Sequence, residues 1–152
     1  MATVNSCPLC HLDTRPVLWQ DEFCRVVGVE TLDYPGYCRV ILNAHVAEMS
    51  DLPENDRYRL MQVVLATEEA VRAVLKPTKI NLASLGNQVP HLHWHVIPRW
   101  PQDPTFPDAI WASSRRLPAV PQIADLWAKL TRSLQERLDY LRQSGCGLHP
   151  KA

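Results

Sequence analysis

The chain has 152 residues, and its sixteen basic side chains balance sixteen acidic ones, so no net field favours nucleic acid or marks an acidic tail. At 46% hydrophobic and 21% charged residues it is composed like an ordinary globular domain, long enough to bury one core. The start, Met1-Ala2-Thr3-Val4-Asn5-Ser6-Cys7, lacks the basic and apolar runs of an export signal, and no apolar run is long enough to span a membrane. These features predict a cytoplasmic protein. Its five cysteines, Cys7, Cys10, Cys24, Cys38 and Cys146, then read as free thiols or metal ligands.

Val17–Gln20 and Cys24–Val29 read as the strands of a hairpin around the polar Asp21-Glu22. Tyr34-Pro35-Gly36 signals a turn, and Tyr37–Asn43 (YCRVILN) a third strand. Pro53 suits the first turn of a helix. Beyond it Leu60, Val64, Val71 and Val74 recur on one face, with Thr67 as the polar member of the row. Val63 and Ala70 widen the stripe, and Pro77 ends it. Lys79–Leu85 is a fourth strand, followed by the turn pair Gly86-Asn87, and His91–Pro98 is a fifth. Six prolines from Pro98 to Pro121 predict a loop with no long element. Ile123, Leu126, Leu130, Leu134 and Leu141 mark a second amphipathic helix that ends near Ser144-Gly145. Together these elements predict one α+β domain over residues 1–145, with a flexible tail at 146–152. Its antiparallel sheet has about five strands, with one long central helix and a C-terminal helix.

The fifth strand carries the chemistry. In His91-Leu92-His93-Trp94-His95-Val96-Ile97 apolar residues alternate with histidines, so Leu92, Trp94 and Val96 face one side and the imidazoles the other. Trp94 is thereby expected in the core. Alternate residues on a strand lie roughly 6.6–6.8 Å apart, which spreads three imidazoles over about 13 Å. A single zinc, with bonds of ~2 Å, could take two of these rings but hardly all three. A linear anion with several oxygens could touch every one. An imidazole with a pKa of ~6.5 can act as a neutral nucleophile or as a charged donor. Such a row can attack a phosphorus, hold its oxygens and protonate a leaving group.

The pattern resembles the signature of the histidine triad (HIT) nucleotide hydrolases and transferases, His-x-His-x-His-x-x with apolar x. The likeness covers about residues 7–111 and includes Asn81 and Gly86-Asn87-Gln88-Val89 upstream of the histidines. Pro98-Arg99 is similar to the dinucleoside polyphosphate hydrolase branch. The resemblance implies a HIT-like fold and a homodimer acting on a small nucleotide, with no organic cofactor and no nucleic acid or membrane partner. Within the catalytic set His91, His93 and His95, it implies His93 as the nucleophile on the α-phosphate. His95 would contact the phosphate or the leaving-group bridge. Asn81, Gly86, Asn87 and Gln88 would hold ribose and phosphate oxygens.

The chain departs from the family pattern at two points. Tyr37 stands where many members have a histidine, and the usual ribose-binding acid has Glu30 as its nearest counterpart, then Asp33. The implied activity is hydrolysis of a nucleoside phosphoanhydride or phosphoramidate through a nucleotidyl-His93 intermediate. The alternatives are a nucleotidyltransferase, or a nucleotide-binding or zinc-stabilised module without turnover.

Cys7-Pro8-Leu9-Cys10 has the spacing of half a tetrahedral metal site. His11, His45, His149 and the first histidine of the row are the available further ligands. Similarity to some HIT proteins selects Cys7, Cys10, His45 and His91 as a closed, structural zinc site. Trp100 and Trp111 flank the proline-rich loop, where they could stack on a base, close an interface or simply pack.

Overall fold

A computed structural model of the protein describes residues 6–11 and 15–145, so the predicted tail, with Cys146 and His149, lies outside the described residues. Five strands form as expected: β1 (Val17–Gln20), β2 (Cys24–Gly28), β3 (Cys38–Leu42), β4 (Lys79–Ala83) and β5 (His93–Arg99). They make one sheet in the order β1-β2-β3-β5-β4, and every neighbouring pair is antiparallel. Asp21 closes the β1–β2 hairpin. Its carboxylate accepts from the backbone N–H groups of Phe23 and Cys24 at 2.8 and 2.9 Å. Arg59 reaches back from the long helix to the same carboxylate at 2.7 Å.

That helix, α1 (Glu54–Leu75), begins directly after Pro53 and ends where Lys76 turns to φ 48°. Its predicted stripe is buried except for Val74, which is partly buried, and Thr67 satisfies its hydroxyl within the helix by donating to the Val63 carbonyl at 2.7 Å. The second helix, α2 (Leu126–Gln143), buries Leu130, Leu134 and Leu138. Ile123 precedes α2 and does not belong to it, because the chain first turns through Asp125 at φ 53°. Both helices cover one face of the sheet, where Cys24 and Val26 of β2, Cys38, Val40 and Leu42 of β3, and Val96 of β5 are fully or almost fully buried. Trp94 packs against this core, as the alternation predicted.

The opposite face is also covered. Val27 and Ile41 pack there against Cys7 and Leu9 of the N-terminal segment, and Ile97 against Tyr34 and Tyr37. Strands buried on both faces explain why their sequences are almost continuously apolar. In that setting Arg39, His93 and His95 stand out as polar groups on the face away from the helices.

Gly28 shows how closely α2 approaches the sheet. A Cβ at this position would meet three ring carbons of Trp127 at 2.7–2.9 Å. A rigid indole cannot bend aside as an alkyl tip can. Gly28→Ala is therefore expected to lower stability by about 1–3 kcal/mol through overpacking, measured by urea unfolding.

Candidate active site

The ladder corrects the expected histidine row in one respect. β5 starts at His93, so only His93 and His95 alternate on the strand. His91 lies in the turn before it, where its backbone N–H donates to the Val89 carbonyl at 2.8 Å. Pro90, which cannot donate to a ladder, sits inside that turn. The sequence pattern alternates from His91, one histidine and two residues before the strand begins.

The rings of His91 and His93 each have their tautomer set by a carbonyl, which can only accept. His91 Nε2 lies 2.6 Å from the Leu42 carbonyl, so Nε2 carries the hydrogen and Nδ1 keeps its lone pair. His93 is the reverse. Its Nδ1 lies 2.6 Å from the His91 carbonyl, so Nδ1–H donates and Nε2 keeps the lone pair. The His95 ring follows at 4.8 Å from that of His93, tilted by 69°.

His93 and His95 line a cavity of about 590 Å³, within the usual size range of small-molecule sites. Gly86, Asn87 and Gln88, the predicted nucleotide-binding residues of the β4–β5 loop, line it too. Gly86 takes φ 75°, a conformation open to glycine without a Cβ penalty, in the loop that lines the cavity with the histidines. Arg15 and Arg39 place two guanidinium groups on the wall, and Pro8, Leu9, Leu85 and Val89 give it an apolar portion. Trp111 is half-exposed and sets its indole edge-on to His95 at 5.1 Å. Both site imidazoles are held below their ordinary pKa. Burial is the main cause for His93, aided by the charges of Arg39 and Arg15 and opposed by the bond to the His91 carbonyl. Burial, then the charges of His93 and Arg39, pushes His95 down to about 4.

Three predicted site residues are placed elsewhere. Glu30 is exposed and lines a separate hollow with Gln122, Asp125 and Trp127. Asn81 does not line the cavity, because its side-chain oxygen accepts from Arg99 at 2.7 Å. His91 is fully buried and touches the site through its backbone carbonyl alone.

Arg99, which the sequence offered only as part of the Pro98-Arg99 likeness, is a structural hub. Its guanidinium also donates to both carboxylate oxygens of Asp103, to Thr105 and to the Asp108 carbonyl, at 2.7–3.2 Å. It thus anchors the start of the proline-rich loop that carries Trp111. Burial pushes the Asp103 carboxyl upward, but Arg99 and the N–H groups of Phe106 and Trp100 outweigh it and hold it below the usual range. Arg39 was also missed, although a charge inside an apolar central strand is a signal that the sequence does carry.

The ring of His91 points away from the cavity into a second cluster. Its Nδ1 lies 3.4 Å from the sulfur of Cys7, 3.4 Å from that of Cys10 and 3.3 Å from Nδ1 of His45. All four ligand atoms fall within 4.8 Å of one another, so the group can hold a metal ion. For a tetrahedral ion bound at ~2.0–2.3 Å, neighbouring ligands should stand about 3.3–3.7 Å apart, close to these distances.

Two neighbouring strand imidazoles set over a lined cavity, beside a partly buried Cys/His group, are the features that the α+β fold brings together. The sequence pattern of the HIT domain matches residues 14–102, more than half of the chain, and the protein belongs to the HIT family. An AP-4-A phosphorylase of Mycobacterium tuberculosis is 28% identical over 95 residues, covering 59% of this chain. The chain spans only 47% of the length of that relative. A histidine triad protein of Marinobacter aquaeolei superposes with a TM-score of 0.65 at 28% identity, over 84% of this chain and 90% of its own. A Zn-bound histidine triad family protein of Mycobacterium smegmatis shares the fold at a TM-score of 0.60 and 20% identity, over 93% of this chain and 99% of its own.

Proposed function

We propose that the protein is a HIT-type hydrolase of a nucleoside phosphoanhydride or phosphoramidate. The observation that carries this reading is the bond from His93 Nδ1–H to the His91 carbonyl, which leaves the Nε2 lone pair beside a cavity lined by Gly86, Asn87, Gln88, Arg15 and Arg39. In the proposed reaction His93 Nε2 attacks the α-phosphorus. The bond to the leaving group breaks, and the leaving group takes its electron pair. Water then attacks the same phosphorus and displaces Nε2, releasing the nucleoside monophosphate. The loop amides and the two arginines stabilise charge on the phosphate oxygens, and His95 contacts the departing side.

A rapid denaturing quench during turnover, at neutral or alkaline pH because a phosphorus–nitrogen bond is acid-labile, should capture a nucleotidyl group on His93 by mass analysis. An adduct on any other residue contradicts the reading. A transferase is the second reading, favoured by the similarity to a protein named as a phosphorylase. In that case inorganic phosphate takes the nucleotide from His93, and product analysis with and without added phosphate separates the two.

We further propose zinc for the Cys7, Cys10, His45 and His91 cluster, supported by two thiols and two imidazoles at tetrahedral spacing. With four protein ligands a zinc ion supplies structure and leaves no position for a reacting water. Purified protein should contain about one zinc per chain, and chelation should lower its melting temperature, since metal binding is coupled to folding. Protein made without chelators that holds no metal would count against the assignment.

A further inference from the structure

Tyr37 is almost fully buried, so its hydroxyl hydrogen needs an acceptor inside the protein. Among the described residues the oxygen has two polar partners. Arg39 Nε lies at 3.3 Å and, as part of a guanidinium, can only donate. His95 Nδ1 lies at 2.5 Å. The hydroxyl therefore accepts from Arg39 and donates to His95 Nδ1, which leaves the hydrogen of the neutral ring on Nε2. Sheet register makes this arrangement rigid. Arg39 of β3 stands directly across the ladder from His95 of β5, and Tyr37 lies two residues before Arg39.

We propose that Tyr37 is a positioning residue: backed by Arg39, it fixes His95 as a neutral Nε2–H donor, suited to a phosphate leaving group and not to an amine. The inference rests on the proposed nucleotidyl-transfer reading of the site. A departing phosphate oxygen is already a weak base and needs only a hydrogen bond as its charge grows. A departing amine must take a whole proton, which a neutral imidazole gives up poorly. His93, Tyr37, Arg39 and Trp111 all face the His95 ring, and none of them is an anion that would favour its charged form. Burial holds the Tyr37 hydroxyl protonated, so the 2.5 Å bond joins two neutral groups. The preferred substrate class is thus a nucleoside phosphoanhydride, with Arg39 and Arg15 adding positive charge to the wall beside its further phosphates.

The test combines ¹⁵N NMR of the histidine rings with kinetics. In the wild-type protein His95 should show an unprotonated, hydrogen-bonded Nδ1 and a protonated Nε2. In Tyr37→Phe the two tautomers should mix, and kcat for a diadenosine polyphosphate should fall about tenfold with KM little changed, the cost of one misdirected hydrogen bond. Tyr37→His, which can also accept from Arg39 and donate to His95, should restore most of the loss. A wild-type His95 with its hydrogen on Nδ1 overturns the proposal. So does a Tyr37→Phe protein whose ring signals and kcat are unchanged, or faster wild-type turnover of an adenosine phosphoramidate than of the anhydride. The ring signals need no turnover. Failure of the nucleotidyl-transfer reading would show separately, as a missing adduct on His93 with the His95 tautomer intact.

Discussion

His93→Ala is expected to lower turnover by at least roughly a thousandfold, because it removes the proposed nucleophile and not merely a contact. Loss of one hydrogen bond, by comparison, costs roughly 0.5–1.5 kcal/mol, or about tenfold in rate. The fold should survive. The ring lies on the cavity face, away from the helix-covered core, and is tied to the protein by its bond to the His91 carbonyl. Circular dichroism should be unchanged, and nucleotide binding measured by calorimetry should be largely retained, since the loop amides and arginines remain. Near-normal activity in this variant would refute the covalent mechanism even though the family assignment stands.

The largest expected loss of stability comes from Arg99→Leu. Asp103 is completely buried, and Arg99 is its counter-charge at 2.7 Å. Removing one member of a buried pair strands the other and costs about 3–5 kcal/mol. In a chain of this size that corresponds to a fall in melting temperature of roughly 6–20 °C. Arg99→Lys should rescue little, because one ammonium cannot reproduce a fork that reaches Asp103, Asn81, Thr105 and the Asp108 carbonyl together. Replacing both Arg99 and Asp103 by leucine should cost less than Arg99→Leu alone, since no uncompensated charge stays buried. Thermal unfolding of the three variants checks the order, and a single-variant loss below about 1 kcal/mol would contradict it. The pH dependence has a definite sign. The Asp103 pKa is lowered on folding, so its contribution is present above the ordinary carboxylate range and is lost as pH falls through the lowered value.

Much of this architecture could be read from local pattern. Pro53 and Pro77 bracketed α1 almost to the residue, and the stripe from Leu60 to Val74 marked its inner face, because a helix that covers a sheet must bury one face. Two-residue alternation put Trp94 toward the core and His93 and His95 away from it. Pattern failed where backbone hydrogen bonding, not side-chain polarity, decides. The histidines alternate from His91, yet Val89 and Pro90 turn the chain there and hand that ring to the cysteines. Ile123 continues an apolar spacing whose helix has not yet started. Contacts distant in sequence were invisible for a different reason. Nothing local announces that Asn81 will be occupied by Arg99, or that Tyr37 will meet a histidine 58 residues away.

His91 joins the two halves of this molecule in a way that bears on thermodynamic linkage. Its imidazole belongs to the Cys/His cluster, while its carbonyl accepts the hydrogen that orients His93. Coupling between cluster and cavity therefore needs no path through the sheet, because a single residue belongs to both. If a cation held by the cluster steadies that carbonyl, it strengthens the binding of any nucleotide that depends on the His93 orientation. By reciprocity the same nucleotide must then tighten the hold on the cation by an equal factor.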